Sequence, residues 1–296
     1  MNFYLQGSGV ALITPFDGQG AIEHKELQAM VEFMVDGGID FIVALGTTAE
    51  TPALSKRDRE AVLETLKSSL NGRIPLVLGM GGNDTHELLE HIKSFNLGGV
   101  DALLSVTPYY NRPSQEGLYR HYAQVADATD LPIILYNVPF RTGCNLTAET
   151  TLRLASDFSN IVGTKEASGD FGQITEILRN RPAGFKVYSG DDLLSLPFIS
   201  LGADGVISVV ANAFPKTFSE MIKKALAGNH EEALVLHEQL LPVVKHIFQE
   251  GSPAGVKAIL SQRGMIQPHL RLPLIEISEK LKAVLAEIDE RWVGPK

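Results

Sequence analysis

Eight short runs of apolar, largely β-branched residues recur along the chain, each followed by a longer stretch with helical spacing. The runs fall at 9–14, 41–45, 75–79, 102–106, 132–137, 161–165, 185–189 and 205–210. Continuous apolar runs of this kind suit strands covered on both faces, as in parallel sheets. Between them, Leu27, Met30, Val31 and Met34 repeat at helical spacing and stop at Gly37-Gly38. Ser55, with Asp58 three residues on, begins another helix that ends at Asn71-Gly72. Eight strand–helix units predict an α/β fold, the eight-fold β/α barrel (TIM barrel), whose usual size is ~250 residues. A doubly wound sheet would need a glycine-rich phosphate turn after an early strand. "GTTAET" offers one glycine and "GMGGND" lacks the dinucleotide spacing, so the barrel leads. Three more helical stretches follow Gly228 with no linker before them. The expected organisation is a barrel over 1–228 and a C-terminal helical extension over 229–296.

Composition narrows the function classes. Of 296 residues, 44% are hydrophobic and 21% charged, enough for a full core. The net charge of -9 is a poor match to nucleic acid or an anionic membrane, and neither is an expected partner. The single cysteine, Cys144, excludes an intrachain disulfide and suits a reducing, cytoplasmic setting. No apolar run reaches the ~20 residues of a membrane span. The opening "MNFYLQGSGV" lacks the regions of a signal peptide and is read as native.

Barrel chemistry sits at the C-terminal ends of the strands. Those ends carry Thr14, the run Gly46-Thr47-Thr48-Ala49-Glu50, Gly79, Tyr109-Tyr110, Tyr136-Asn137 with Arg141, Lys165-Glu166, Ser189-Gly190-Asp191 and Ile207-Ser208. Lys165 is either a solvated lysine past a strand or an imine-forming nucleophile. Ile161, Gly163 and Lys165 share strand parity; if that face points into the barrel, Lys165 lies near the barrel axis, with Glu166 on the opposite face. An amine must be neutral to attack a carbonyl, and apolar walls favour that form. Tyr136 is either a core aromatic or a phenol that moves protons at carbinolamine formation and dehydration. Thr47 and Thr48 are turn residues or carboxylate binders. Arg141 is a surface residue or a bidentate carboxylate clamp, and the rigid Pro139 beside it favours the clamp. Tyr109 and Tyr110 suit a lid or a subunit contact.

The remaining signals are bland. The eight histidines show no metal spacing: His86 and His91 are five apart and His121 stands alone, which predicts a solvated helix face. Asp191-Asp192 reads as a turn and helix cap in preference to a Mg²⁺ site.

"GTTAET", "TPYYNRPSQEGLYRHY", "YNVPFRTG", "GTKEASGD", "YSGDD", "GVISVVAN" and "LRLPL" resemble, in order and across essentially the whole chain, the dihydrodipicolinate synthase family. The wider pyruvate-dependent lyases share the first motif's shape and the lysine; "YNVP" followed by "RTG" is the narrower mark. The resemblance implies a homotetramer, a dimer of dimers, that uses no metal and no cofactor. It would condense pyruvate with L-aspartate 4-semialdehyde through a covalent imine on Lys165. It further implies a proton relay of Thr47, Tyr136 and Tyr110, with Tyr110 reaching in from a neighbouring subunit. Thr48 would hold the pyruvate carboxylate, Arg141 that of the semialdehyde, and Gly190 and Ile207 would form pocket backbone. Asn83, Glu87 and Tyr109 fit the pattern of a lysine-binding allosteric site.

Two departures stand out. Ala49 replaces the family's second glycine, which would tolerate a positive φ. Lys56 and Arg59 stand where lysine-sensitive members carry histidines, and Thr51 where they carry serine. The two cations would repel a lysine ligand or pair with Glu87, or else solvate a helix face; weak or absent inhibition is expected. The rival readings are an N-acetylneuraminate or 2-keto-3-deoxy sugar-acid aldolase, which would not be expected to carry Arg141 in this motif, and a catalytically silent keto-acid-binding barrel.

Overall fold

The apolar runs form one closed parallel sheet. In the computed structural model, which describes residues 5–293, the strands are β1 (Gly7–Ala11), β2 (Phe41–Ala44), β3 (Leu76–Gly79), β4 (Ala102–Val106), β5 (Ile133–Asn137), β6 (Ile161–Glu166), β7 (Lys186–Ser189) and β8 (Gly205–Ser208). Each pairs with the next, and β8 closes on β1, with Gly9 opposite Ile207. This is the expected eight-fold barrel. Residues 1–4 and 294–296, at the outer ends of the two expected segments, lie outside the described residues, as does the start of "MNFYLQGSGV".

The intervening helices are α1 (His24–Asp36), α2 (Lys56–Leu70), α3 (Thr85–Ser94), α4 (Gln115–Asp127), α5 (Pro139–Thr142), α6 (Ala148–Asp157), α7 (Phe171–Asn180), α8 (Ser195–Ser200) and α9 (Pro215–Leu226). Helix α2 shows why such a segment is helical. The Ser55 hydroxyl accepts from the Asp58 N–H while the Asp58 carboxylate accepts from the Ser55 N–H. A reciprocal cap of this kind contributes about 1 kcal/mol. Val62, Leu63, Leu66 and Leu70 then face the sheet, and Asn71, at φ 44°, ends the helix. The short α5 is an addition to the expected helices; Pro139 starts it and Gly143, at φ 75°, stops it.

Helices α10 (His230–Ile247), α11 (Ala254–Gln262) and α12 (Glu279–Val293) follow Gly228. Helix α10 packs on α9, and α12 on α10 and α11. Val243, Ile247, Val256 and Leu260 join the same apolar layer as the barrel's outer face.

Two apolar layers result. Phe41, Val43, Val77, Leu104, Ile134, Tyr136, Tyr188 and Ile207 fill the barrel, while Ile42, Leu78, Leu103, Ile133, Leu135 and Val187 meet the helices. The first strand begins earlier and ends sooner than its apolar run. Asn212 explains the end: its amide donates to the Ala11 carbonyl and accepts from the Ile13 N–H, so the chain leaves the sheet there.

Strand β6 corrects the parity expectation. Ile133 pairs with Ile161 but Ile134 pairs with Gly163, so Val162 is an extra residue in a bulge. Ile161 therefore packs in the outer layer and Val162 against the inner one. A one-residue insertion reverses the facing of the residues on one side of it relative to those on the other. Ile161 and Lys165 lie on opposite faces despite their even spacing, and Lys165 points inward.

Candidate active site

Lys165 ends the inward series of β6. It is only 5% exposed, and its Nζ lies 4.5 Å from the centroid of the Tyr136 ring. Tyr136 is its register partner on β5, and Val106 on β4 is in turn the partner of Tyr136. No carboxylate among the described residues pairs with Lys165, because Glu166 turns to the outer face and binds Asn137 and Gln173.

Gly190 and Ile207 form the far wall. A Cβ on Gly190 would sit 2.8 Å from both Lys165 Cε and Ala167 Cβ. The glycine leaves the space that the lysine stem occupies. Ile207 is buried in the barrel interior on β8.

After β2 the chain makes two short 3₁₀ turns, Thr47–Ala49 and Thr51–Ala53. Ala49 has ordinary helical backbone: its N–H donates to Gly46, and its carbonyl accepts from the Thr14 hydroxyl at 3.0 Å. The left-handed residue is the next one, Glu50, at φ 57°. The alanine therefore imposes no backbone strain. Thr48 is buried and Thr47 half-buried.

Glu50, absent from the expected site residues, anchors this turn. Its carboxylate accepts from Lys257 Nζ at 2.6 Å and from the Arg271 N–H at 2.9 Å, and the Glu50 and Lys257 side chains are both essentially buried. Burial pulls the Lys257 ammonium down, and the Glu50 carboxylate pushes it back up. Arg271 also donates to Asp58, Ala53 and Gly20. The threonine turn is thus tied to the C-terminal part of the chain.

A cavity of about 330 Å³ opens above Tyr136. Its walls include Thr47, Tyr136 and Arg141 together with Asn83, Glu87 and Tyr109. Lys165, Thr48, Gly190 and Ile207 are not among its walls; Lys165 lies deeper, against the Tyr136 ring. Arg141 sits on α5, with no carboxylate partner among the described residues. Tyr110 stands apart from its own chain's cavity. It is 89% exposed, at φ 73°, and its N–H donates to the Thr142 carbonyl.

Of the alternatives for Lys56 and Arg59, pairing with Glu87 is absent. Glu87 has His91 as its ion partner at 3.8 Å, and neither Lys56 nor Arg59 pairs with it. Arg59 lines the cavity but donates to the Leu54 and Thr51 carbonyls. Lys56 points to Ser94 and the Phe95 ring.

His121 also departs from the solvated-face reading. It is buried beside Tyr122, with Nδ1 2.9 Å from the Thr85 hydroxyl, and burial lowers its pKa to about 4. Asp191 makes the expected turn by accepting from the Leu193 and Leu194 N–H groups. Asp192 does not cap α8; it is buried and accepts from Val209 and Val210 N–H. Among the described residues no group of three or more His, Cys, Asp or Glu side chains is arranged to hold a metal ion.

The family model for the dihydrodipicolinate synthetase family matches residues 4–290. The chain belongs to that family. A 4-hydroxy-tetrahydrodipicolinate synthase of Phocaeicola vulgatus is 49% identical over 288 residues, covering 96% of this chain and 97% of the relative. The dihydrodipicolinate synthase structure from Aquifex aeolicus superposes with a TM-score of 0.95 at 41% identity, covering 98% of this chain and 99% of that one. The Acinetobacter baumannii dihydrodipicolinate synthase, complexed with pyruvate, gives 0.93 at 41% identity over 96% and 98% of the two chains.

In this member of the dihydrodipicolinate synthetase family, a buried amine lies against a phenol at the barrel rim, and Thr47 and Arg141 line the cavity above that phenol. A buried amine in its neutral form can add to a carbonyl. A hydroxyl-bearing ring against it can pass protons. A guanidinium without a carboxylate partner at the mouth can take a carboxylate from a ligand.

Proposed function

We propose that the chain acts as a 4-hydroxy-tetrahydrodipicolinate synthase, condensing pyruvate with L-aspartate 4-semialdehyde. It is a lyase of the class I aldolase type. The observation that carries the residue assignment is the buried Lys165 Nζ over the Tyr136 ring at the end of paired strands.

Lys165 adds to the pyruvate ketone to give a carbinolamine, which loses water to form the imine. Removal of a proton from the pyruvate methyl carbon gives the enamine. Its carbon attacks the aldehyde of the second substrate, and the aldehyde oxygen becomes a hydroxyl. The amino group of that substrate then attacks the imine carbon, closes the ring and releases Lys165. Tyr136 supplies and accepts the protons, with Thr47 and a partner subunit's tyrosine equivalent to Tyr110 completing the relay. Thr48 holds the pyruvate carboxylate through its hydroxyl and N–H, Arg141 the semialdehyde carboxylate, and Gly190 and Ile207 shape the pocket. Every group in this route is an amino-acid residue of this chain or its partner subunit, and the route calls for no added cofactor or metal.

The working assembly in this reading is a dimer of dimers in the cytoplasm. The exposed Tyr110 and Phe140, both bordering the Thr142 turn, give an apolar rim for a neighbouring subunit to cover. Among the described residues no helix is long and apolar enough to cross a membrane.

The direct experiment compares two reactions. Purified enzyme should consume pyruvate only when the semialdehyde is present and should not cleave N-acetylneuraminate. Cleavage of the sugar acid without condensation would assign the rival aldolase activity.

A further inference from the structure

The residues immediately after Tyr136 and Lys165 face the other way. The β5–β6 register sets Tyr136 opposite Lys165 and Asn137 opposite Glu166. Strand alternation sends the first pair into the barrel and the second toward the helices. Both outward residues are fully buried. Among the described residues no cation pairs with Glu166, which is unusual for a buried carboxylate.

Donors from two elements converge on Glu166 instead. Asn137 Nδ2 donates to Oε1 at 2.8 Å, and Gln173 Nε2, on α7, donates to Oε2 at 2.9 Å. The Ser168 N–H adds a third bond at 3.2 Å. Burial pushes the carboxyl's pKa up while these donors pull it down. Asn137 cannot simply rotate its amide, because its Oδ1 accepts the Leu146 N–H at 2.9 Å. Its Nδ2 therefore stays on the side of its two nearest acceptors, Glu166 Oε1 and Asn145 Oδ1, each at 2.8 Å.

The bulge at Val162 gives this arrangement a task. A bulge bends its strand and interrupts the ladder, so the pairing before it does not fix the pairing after it. The reactive residues lie just beyond the bulge, where a lock across the two strand ends sets which side chains meet.

We propose that Asn137 and Glu166 are a positioning pair, locking β5 to β6 from the outer face so that Tyr136 and Lys165 meet in reactive geometry inside. This rests on the reading of Lys165 as the imine-forming amine.

Glu166→Gln tests it. The variant keeps the side-chain shape but puts an NH2 donor in place of one of the two oxygens that accept from Asn137 and Gln173. Sites are counted by borohydride trapping of pyruvate, so misfolded protein drops out of the rate. Turnover per trapped site should fall about 10–100-fold, the scale of a small misplacement of reacting groups. The KM for pyruvate should change far less. The double variant Glu166→Gln/Gln173→Glu, which returns a carboxylate to the same cluster, should recover most of the loss. Asn137→Ala, which removes the donor on β5, should lower per-site turnover in the same way and serves if Glu166→Gln does not fold.

Per-site turnover within twofold of the parent, a loss confined to KM, or a double variant as slow as the single would overturn the positioning role. Absence of trapping in the unsubstituted enzyme would overturn the imine reading instead, so the two failures are distinguishable.

Discussion

Lys165 Nζ lies 4.5 Å from the centroid of the Tyr136 ring, and the two residues are direct register partners across β5 and β6. The ring is thus held against the amine by backbone pairing as well as by packing. Tyr136→Phe keeps the ring and removes only the hydroxyl. Pyruvate trapping should persist, while turnover falls about 10²–10³-fold, the usual loss for a positioned acid–base group. Steady-state rates alongside trapping stoichiometry check this; near-parent turnover would remove the phenol from the relay.

Gly190 sets how close the opposite wall comes. A methyl group there would sit 2.8 Å from Lys165 Cε, well inside contact distance. Gly190→Ala should push the lysine stem aside and slow imine formation about 100-fold, as misplacing a reacting group by ~1 Å does. Stopped trapping time courses give the rate, and an unchanged rate would mean that the lysine stem has room the geometry does not show.

Tyr110 tests whether the site is built from two chains. It is almost fully exposed and outside its own chain's cavity. Tyr110→Phe should impair turnover. Mixing it with Lys165→Ala protein should restore part of the activity, since a hybrid dimer then holds one site with both groups intact. No recovery after verified subunit exchange would place Tyr110 outside the neighbouring site.

Lysine should inhibit weakly or not at all. Arg59 lines the same cavity as Glu87 and is held by the Leu54 and Thr51 carbonyls, so a ligand ammonium there meets a fixed cation. Glu87 already has His91 beside it. Initial rates at saturating pyruvate over a lysine titration decide this, and saturable sub-millimolar inhibition would contradict it.

The barrel was legible because parallel strands covered on both faces are written as unbroken apolar runs, and eight of them occur. The rim residues were legible as the polar ends of those runs. The bulge at Val162 was not, because no residue type marks it and its effect is to reverse the facing of Ile161. The Glu50–Lys257 pair joins positions 207 residues apart, a separation that leaves no local signal. His121 did leave one: Leu118, Tyr122 and Val125 form a buried stripe on α4 that includes it.

The assignment of Lys165 is tested most directly by incubating the enzyme with pyruvate, reducing with borohydride, and mapping the modified residue by mass spectrometry. One adduct per chain on the peptide that carries Lys165, absent from Lys165→Ala protein, is the expected result. A stoichiometric adduct on another lysine, or an undiminished adduct in Lys165→Ala protein, would contradict it.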